Sequence, residues 1–172
     1  MCIVWLSATF CFYLIQMLSN TFKDEYVTGI VNGSAEFVAN ITSGFMYIKI
    51  GVKPSLIVSF LISTVGGALI LIWGLDNQET AYFEVFFMLA KFGVTICFAI
   101  AFAANQYFFP TLFAATALGI CNFLARLFAA ISFLIDNIEE PTPIIIFTIC
   151  CTATAVASFF LRTGSKLKAD DE

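Results

Sequence analysis

Residues 81–105 read AYFEVFFMLAKFGVTICFAIAFAAN, an apolar run broken by Glu84 near its start and Lys91 near its middle. At about 1.5 Å per residue, a helix of that length covers the ~30 Å hydrocarbon core of a bilayer. A strand of a membrane barrel would alternate apolar and polar residues with period two, and this run does not. The stretch therefore predicts a membrane-crossing helix, and the lysine predicts something other than lipid along one side of it.

The rest of the chain repeats the pattern. Of 172 residues, 60% are hydrophobic and 12% charged, and the mean hydropathy is +0.96. Soluble domains carry about 25% charged residues, so too few charges are present to cover a water-facing surface. The length allows at most about six or seven spans. Polar interruptions divide the chain into six, at about 2–19, 26–48, 56–75, 81–105, 112–135 and 144–161, followed by a charged tail, 162–172. The interruptions are 20–25, Lys49 to Pro54, Asp76 to Glu79, Gln106 to Thr111, and Asp136 to Pro143. With six spans, both termini share a side with Lys49, Lys53, Arg162, Lys166 and Lys168, whereas Asp24, Glu25, Asp76, Glu79, Asp136, Glu139 and Glu140 face Lys23 alone on the other. Basic loops mark the cytoplasmic face, which places both termini in the cytoplasm.

Whole classes of function drop out on composition. A net charge of −4 offers no basic field for nucleic acid. The chain has no histidine, the commonest general base and metal ligand. Its six cysteines, at 2, 11, 97, 121, 150 and 151, all lie within apolar runs, where they are expected to act as small hydrophobes. Their spacing predicts neither a disulfide framework nor a metal site. No cofactor is implied, and an intramembrane enzyme is not expected. No basic segment precedes the first apolar run, so a cleavable signal peptide is not expected either. The sequon Asn40-Ile41-Thr42 falls within a span.

Three charges remain inside the spans: Glu36, Lys91 and Arg126. Each costs about 2.5–3.5 kcal/mol at mid-depth unless it meets a partner or a wet cavity. With two bases and one acid, complete pairing leaves one positive charge over. Helical periodicity groups each with other polar or small residues. Gly29, Gly33, Glu36, Asn40, Gly44 and Tyr47 share a face of the second span. Glu84, Lys91, Thr95, Phe98, Phe102 and Asn105 share one on the fourth, and Gly119, Asn122, Arg126, Ala130 and Phe133 one on the fifth. Thr9, Tyr13, Gln16 and Asn20 align more loosely on the first. The third and sixth spans show almost no polar face and are expected to form an outer, lipid-facing scaffold. Gly29 and Gly33 taken alone would mark close helix packing.

Several stretches taken in order resemble a known family. Residues 5–13 (WLSATFCFY), Ser34-Ala35-Glu36-Phe37-Val38-Ala39, Lys49-Ile50-Gly51-Val52-Lys53, Ala90-Lys91-Phe92-Gly93, and Phe109-Pro110-Thr111 with Gly119 and Arg126 are similar to the C-terminal half, helices seven to twelve, of a major facilitator superfamily transporter. The organic cation, anion and carnitine transporters are the family they most resemble. The fold this implies is an all-α membrane protein whose six transmembrane helices form one six-helix half. In the family the seventh, eighth, tenth and eleventh helices line a central cavity, which implies that Tyr13, Glu36, Asn40, Lys91, Asn122 and Arg126 face a small organic ion. Lys49, Gly51 and Lys53 fall in the family's cytoplasmic gating loop. Departures exist. The loop's aspartate and arginine are replaced by Ile48 and Val52, a glutamate before the Pro-Thr turn by Tyr107, a later arginine by Ala114, and a proline after the acidic motif by Val38.

Carriers of this kind need two six-helix halves rocking about a mid-depth site. The chain supplies one. A fragment of a longer frame, a truncated relic and a dimerising half-unit are all compatible with it, and Met1 at the mouth of a span favours the fragment. The expected partners are therefore an organic ion, the lipid of the plasma membrane, and the N-terminal half or a second copy. The alternative is a non-transporting scaffold or regulatory subunit, in which Glu36 would pair with Lys91 or Arg126.

Overall fold

Lipid offers no hydrogen bonds, so an apolar chain must satisfy its backbone within each segment, and helices result. The computed structural model describes residues 2–18, 25–74, 81–108, 111–136 and 141–159. Six helices are formed among the described residues: α1 (Cys2–Leu18), α2 (Glu25–Ile50), α3 (Val52–Leu69), α4 (Ala81–Phe108), α5 (Thr111–Asp136) and α6 (Thr142–Phe159). A single π-helical turn, Ile70–Gly74, extends α3. The charged tail and most of the acidic connections that orient the chain lie outside the described residues.

Among the described residues three segments are long and apolar enough to cross a membrane: Val52–Trp73, Phe83–Ala104 and Thr142–Phe159. They make this a helical membrane protein. Apolar stretches of α1 (Ile3–Leu18) and α5 (Leu118–Ala130) are shorter. Among the described residues the expectation of six spans is thus met in helix number, while three of the six helices have both the length and the apolar content of a crossing. α2 departs most, because Gly29, Gly33, Ser34, Glu36, Asn40, Thr42, Ser43 and Gly44 dilute its apolar content.

The connection between α2 and α3 differs from expectation too. It is a single residue, Gly51, rather than a loop running to Pro54. Pro54 lacks an N–H, but the first turn of a helix needs none there, so α3 begins ahead of it. Gly51 has φ 89° and ψ 169°, a conformation open essentially to glycine alone. The Ser55 hydroxyl then donates to the Met46 carbonyl at 3.0 Å and ties the hairpin across the turn.

α4 is the central helix, packed against α1, α2, α3 and α5. Behind it α3 packs on α6, and α6 on α1. Leu14, Ile15, Leu56, Phe60, Val94, Phe147 and Cys151 fill the space between these four. α2 lies along α4 and α3, and α5 mainly along α1, so the two flank the α1–α4 pair. The scaffold role expected of α3 and α6 needs correction. Each has an exposed apolar face, Val58, Leu61 and Val65 on α3, and Ile145, Ile149 and Val156 on α6. The opposite face of α3, however, is a buried row of Ser55, Ser59, Ser63 and Gly66. There the backbones nearly touch. A Cβ on Gly93 would lie 2.7 Å from the Ser59 carbonyl oxygen, and one on Gly66 2.5 Å from the Ala90 nitrogen. The Ser63 hydroxyl donates to the Ala90 carbonyl at 3.1 Å. Small residues with hydroxyl bridges are how helices adhere without a hydrophobic driving force.

Candidate functional site

Lys91 is the organising residue. Its side chain is 1% exposed, yet it is satisfied twice. The ammonium lies 3.1 Å from Glu36 Oε1 on α2 and donates to Gln16 Oε1 on α1 at 2.7 Å. It thereby links the helices on either side of α4. A buried cation requires such neutralisation, since an unpaired one costs several kcal/mol. Glu36 is less enclosed, with 36% of its side chain exposed. The pair therefore has a buried end and an open end.

Arg126 is engaged differently. It is exposed on α5, and its guanidinium stands over the Tyr13 ring at 5.3 Å from the centroid. At an exposed site such a cation–π contact contributes about 0.5–1 kcal/mol. Among the described residues no carboxylate pairs with it. Tyr13 is one turn from Gln16 on α1, so Arg126 and Lys91 meet neighbouring positions on the same helix.

An aromatic ladder runs along the α1–α4 seam beyond these groups. Phe12 stacks on Phe98 at 4.7 Å, Phe98 meets Phe102 edge-on at 4.9 Å, and Phe102 leans on Trp5 at 4.6 Å. Lys91, Phe98 and Phe102 are the face that helical spacing predicts. Trp5 is fully buried, and its indole Nε1 has no hydrogen-bond partner among the described residues.

Beside this seam the flanking helices are open. A Cβ added to Gly29, Gly33 or Gly44 on α2, or to Gly119 on α5, would meet nothing within 4 Å. The packing role that Gly29 and Gly33 alone would suggest is thus not exercised among the described residues.

The predicted residues separate accordingly. Tyr13, Glu36, Lys91 and Arg126 come together, in two linked contacts. Asn40 is exposed and turns back on its own helix, its amide donating to the Glu36 carbonyl at 2.9 Å. Asn122 is half-buried one turn before Arg126. Lys49, Gly51 and Lys53 belong elsewhere. Lys49 is thirteen residues from Glu36, about 20 Å along the helix, at the α2–α3 turn. Gln16 was not among the residues expected to face a ligand. Its signal was present, as a polar residue one turn from Tyr13 in an apolar run.

Of the cysteines, Cys11 and Cys151 approach at 3.7 Å between sulfurs, and both are fully buried free thiols. A shallow groove of about 260 Å³ lies on the other side of α4, lined by Val58, Leu61, Ile62, Val65 and Leu89. It is apolar and holds none of the predicted residues. No protein-family model matches the chain, and no curated protein matches it. The resemblance to organic-ion carriers rests on the quoted residues alone.

Proposed function

We propose that the protein moves small organic ions across a membrane, as the C-terminal six-helix half of a major-facilitator-type carrier working by alternating access. The observation that carries this reading is the placement of Tyr13, Gln16, Glu36, Lys91 and Arg126. Four helices contribute them, α1, α2, α4 and α5, next to uncovered faces of α2 and α5. Charges at this depth persist where they face a path or a partner. In this reading all six helices cross the plasma membrane, both termini are cytoplasmic, and the N-terminal half or a second copy closes the site from the other side. The turn at Lys49, Gly51 and Lys53 serves as the cytoplasmic gate. Neither a cofactor nor an enzymatic step is involved.

The second reading, a non-transporting scaffold or regulatory subunit, or an inactive relic, draws on the Glu36–Lys91 pair, since a purely structural bridge would look the same. Arg126 suits it less well, because its guanidinium is exposed and no described carboxylate pairs with it. Uptake of labelled organic anions, cations and zwitterions by cells expressing the protein separates the two. Accumulation of at least one above mock-transfected cells, falling at least about ten-fold in both Lys91→Met and Arg126→Gln, is expected of a carrier. Accumulation of none, or uptake untouched by both changes, rejects these roles.

A further inference from the structure

The face of α3 that turns away from the core has an apolar body and a charged end. Pro54, Val58, Leu61 and Val65 follow one another at helical spacing, and all four are exposed. The last three, with Ile62 and with Leu89 of α4, line the groove of about 260 Å³. Leu89 precedes Ala90, which lies against Gly66, so α4 closes the groove at the level of Val65. From Pro54 to Val65 the stripe is about 16 Å long at ~1.5 Å per residue. One leaflet of a ~30 Å hydrocarbon core is about 15 Å deep. The membrane-crossing segment of α3 starts at Val52, so the stripe runs from the membrane surface to about the midplane. Lys49 and Lys53 stand at its surface end. Lys49 is exposed in the last turn of α2, and Lys53 is half-buried immediately before Pro54. Among the described residues no carboxylate pairs with either, and the chain has no acidic residue between Glu36 and Asp76.

We propose that an anionic phospholipid binds here, its phosphate on Lys49 and Lys53 and one acyl chain in the groove along α3 and α4. Lysines at the end of a membrane helix attract the headgroups of acidic lipids, and their flexible stems let the ammoniums reach headgroup level. The groove adds what charge alone lacks, a wholly apolar seat with the length of one leaflet. A zwitterionic lipid fits the groove but brings no net charge to the lysines. A soluble phosphate ester suits the lysines but leaves the groove empty. A polypeptide is a poorer occupant, because its backbone would need hydrogen-bond partners that these side chains do not offer. Glu36, Lys91 and Arg126 lie on the other side of α4, so the lipid site and the ion-carrier reading stand or fall separately.

Native mass spectrometry of the full chain in a neutral detergent, titrated with lipid, tests this. The probes are phosphatidylserine and phosphatidylcholine with the same acyl chains, and glycerophosphoserine, the headgroup without chains. Two lysines at the surface should favour phosphatidylserine over phosphatidylcholine by about ten- to thirty-fold in dissociation constant. Glycerophosphoserine should not displace it even in large excess. Lys49→Gln combined with Lys53→Gln should abolish the preference and leave phosphatidylcholine binding unchanged, whereas arginine at both positions should keep it. Leu61→Trp, which fills the groove, should weaken both lipids. Equal binding of the two lipids by the wild-type chain overturns the proposal, whatever the variants do. So does a preference that survives the double glutamine change, as it would if Arg162, Lys166 and Lys168 of the tail held the headgroup. Displacement by glycerophosphoserine overturns it too, since the site would then take free phosphate esters and not lipid.

Discussion

Glu36 and Lys91 are partners of unequal exposure, and the asymmetry has consequences for mutation. Removing the acid strands a fully buried ammonium with only the Gln16 carbonyl, whereas removing the lysine leaves a carboxylate that can still reach polar surroundings. Breaking a buried pair from one side costs about 3–5 kcal/mol, and replacing both partners costs far less. Glu36→Gln should therefore destabilise by about 3 kcal/mol and Lys91→Met by less. The double variant should recover most of the loss, measured by thermal unfolding in lipid nanodiscs. Additive losses would show that the contact contributes little. Trp5 provides the opposite case. Its buried N–H finds no acceptor among the described residues, so in Trp5→Phe the cost of the volume lost is offset in part by removing an unpaired donor, and the net loss in the same assay should stay within about 1 kcal/mol. A much larger loss would show that the indole ring's packing outweighs its unpaired donor.

Between helices, identical substitutions should have opposite signs. Gly93→Ala drives a methyl into the Ser59 carbonyl and the α3 backbone, at a cost of about 1–3 kcal/mol. Gly33→Ala meets open space on α2 and should be neutral or stabilising by up to about 1 kcal/mol. At the hairpin, Gly51→Ala forces a side chain into a glycine-only conformation and should cost about 1–3 kcal/mol although no atom lies nearby. Thermal unfolding of the three variants side by side checks the order. At this scale the sequence was legible where a pattern has a price in free energy. Glu36, Lys91 and Arg126 stand out because charges in apolar runs are costly. Which base Glu36 chooses was not legible, since that depends on α2 packing along α4 rather than α5. The serine row of α3 went unnoticed because Ser59 satisfies its own helix, donating to the Ser55 carbonyl at 2.7 Å. The early start of α3 was hidden by Pro54, which punctuates a chain yet fits the first turn of a helix.

Across the whole molecule, α1, α3, α4 and α6 form a packed core, while α2 and α5 flank the α1–α4 seam with faces that this chain leaves open. Helix number could be read from hydropathy. The division into core and flanking helices could not, because Gly29 and Gly66 look alike in sequence and only the second touches a neighbour. If the seam lines an ion path, the open faces of α2 and α5 are wet in the membrane, and the apolar faces of α3 and α6 are in lipid. Single cysteines at Asn40 and Gly119, in a background with the native cysteines replaced by serine or alanine, report on this directly. The measurement is their rate of reaction with a charged, membrane-impermeant thiol reagent, compared with cysteines at Leu61 and Ile149. Rapid modification of Asn40→Cys and Gly119→Cys, with Leu61→Cys and Ile149→Cys inert, is the predicted result. Equal inertness at all four positions would contradict it and leave the charged residues as internal struts of a lipid-embedded bundle.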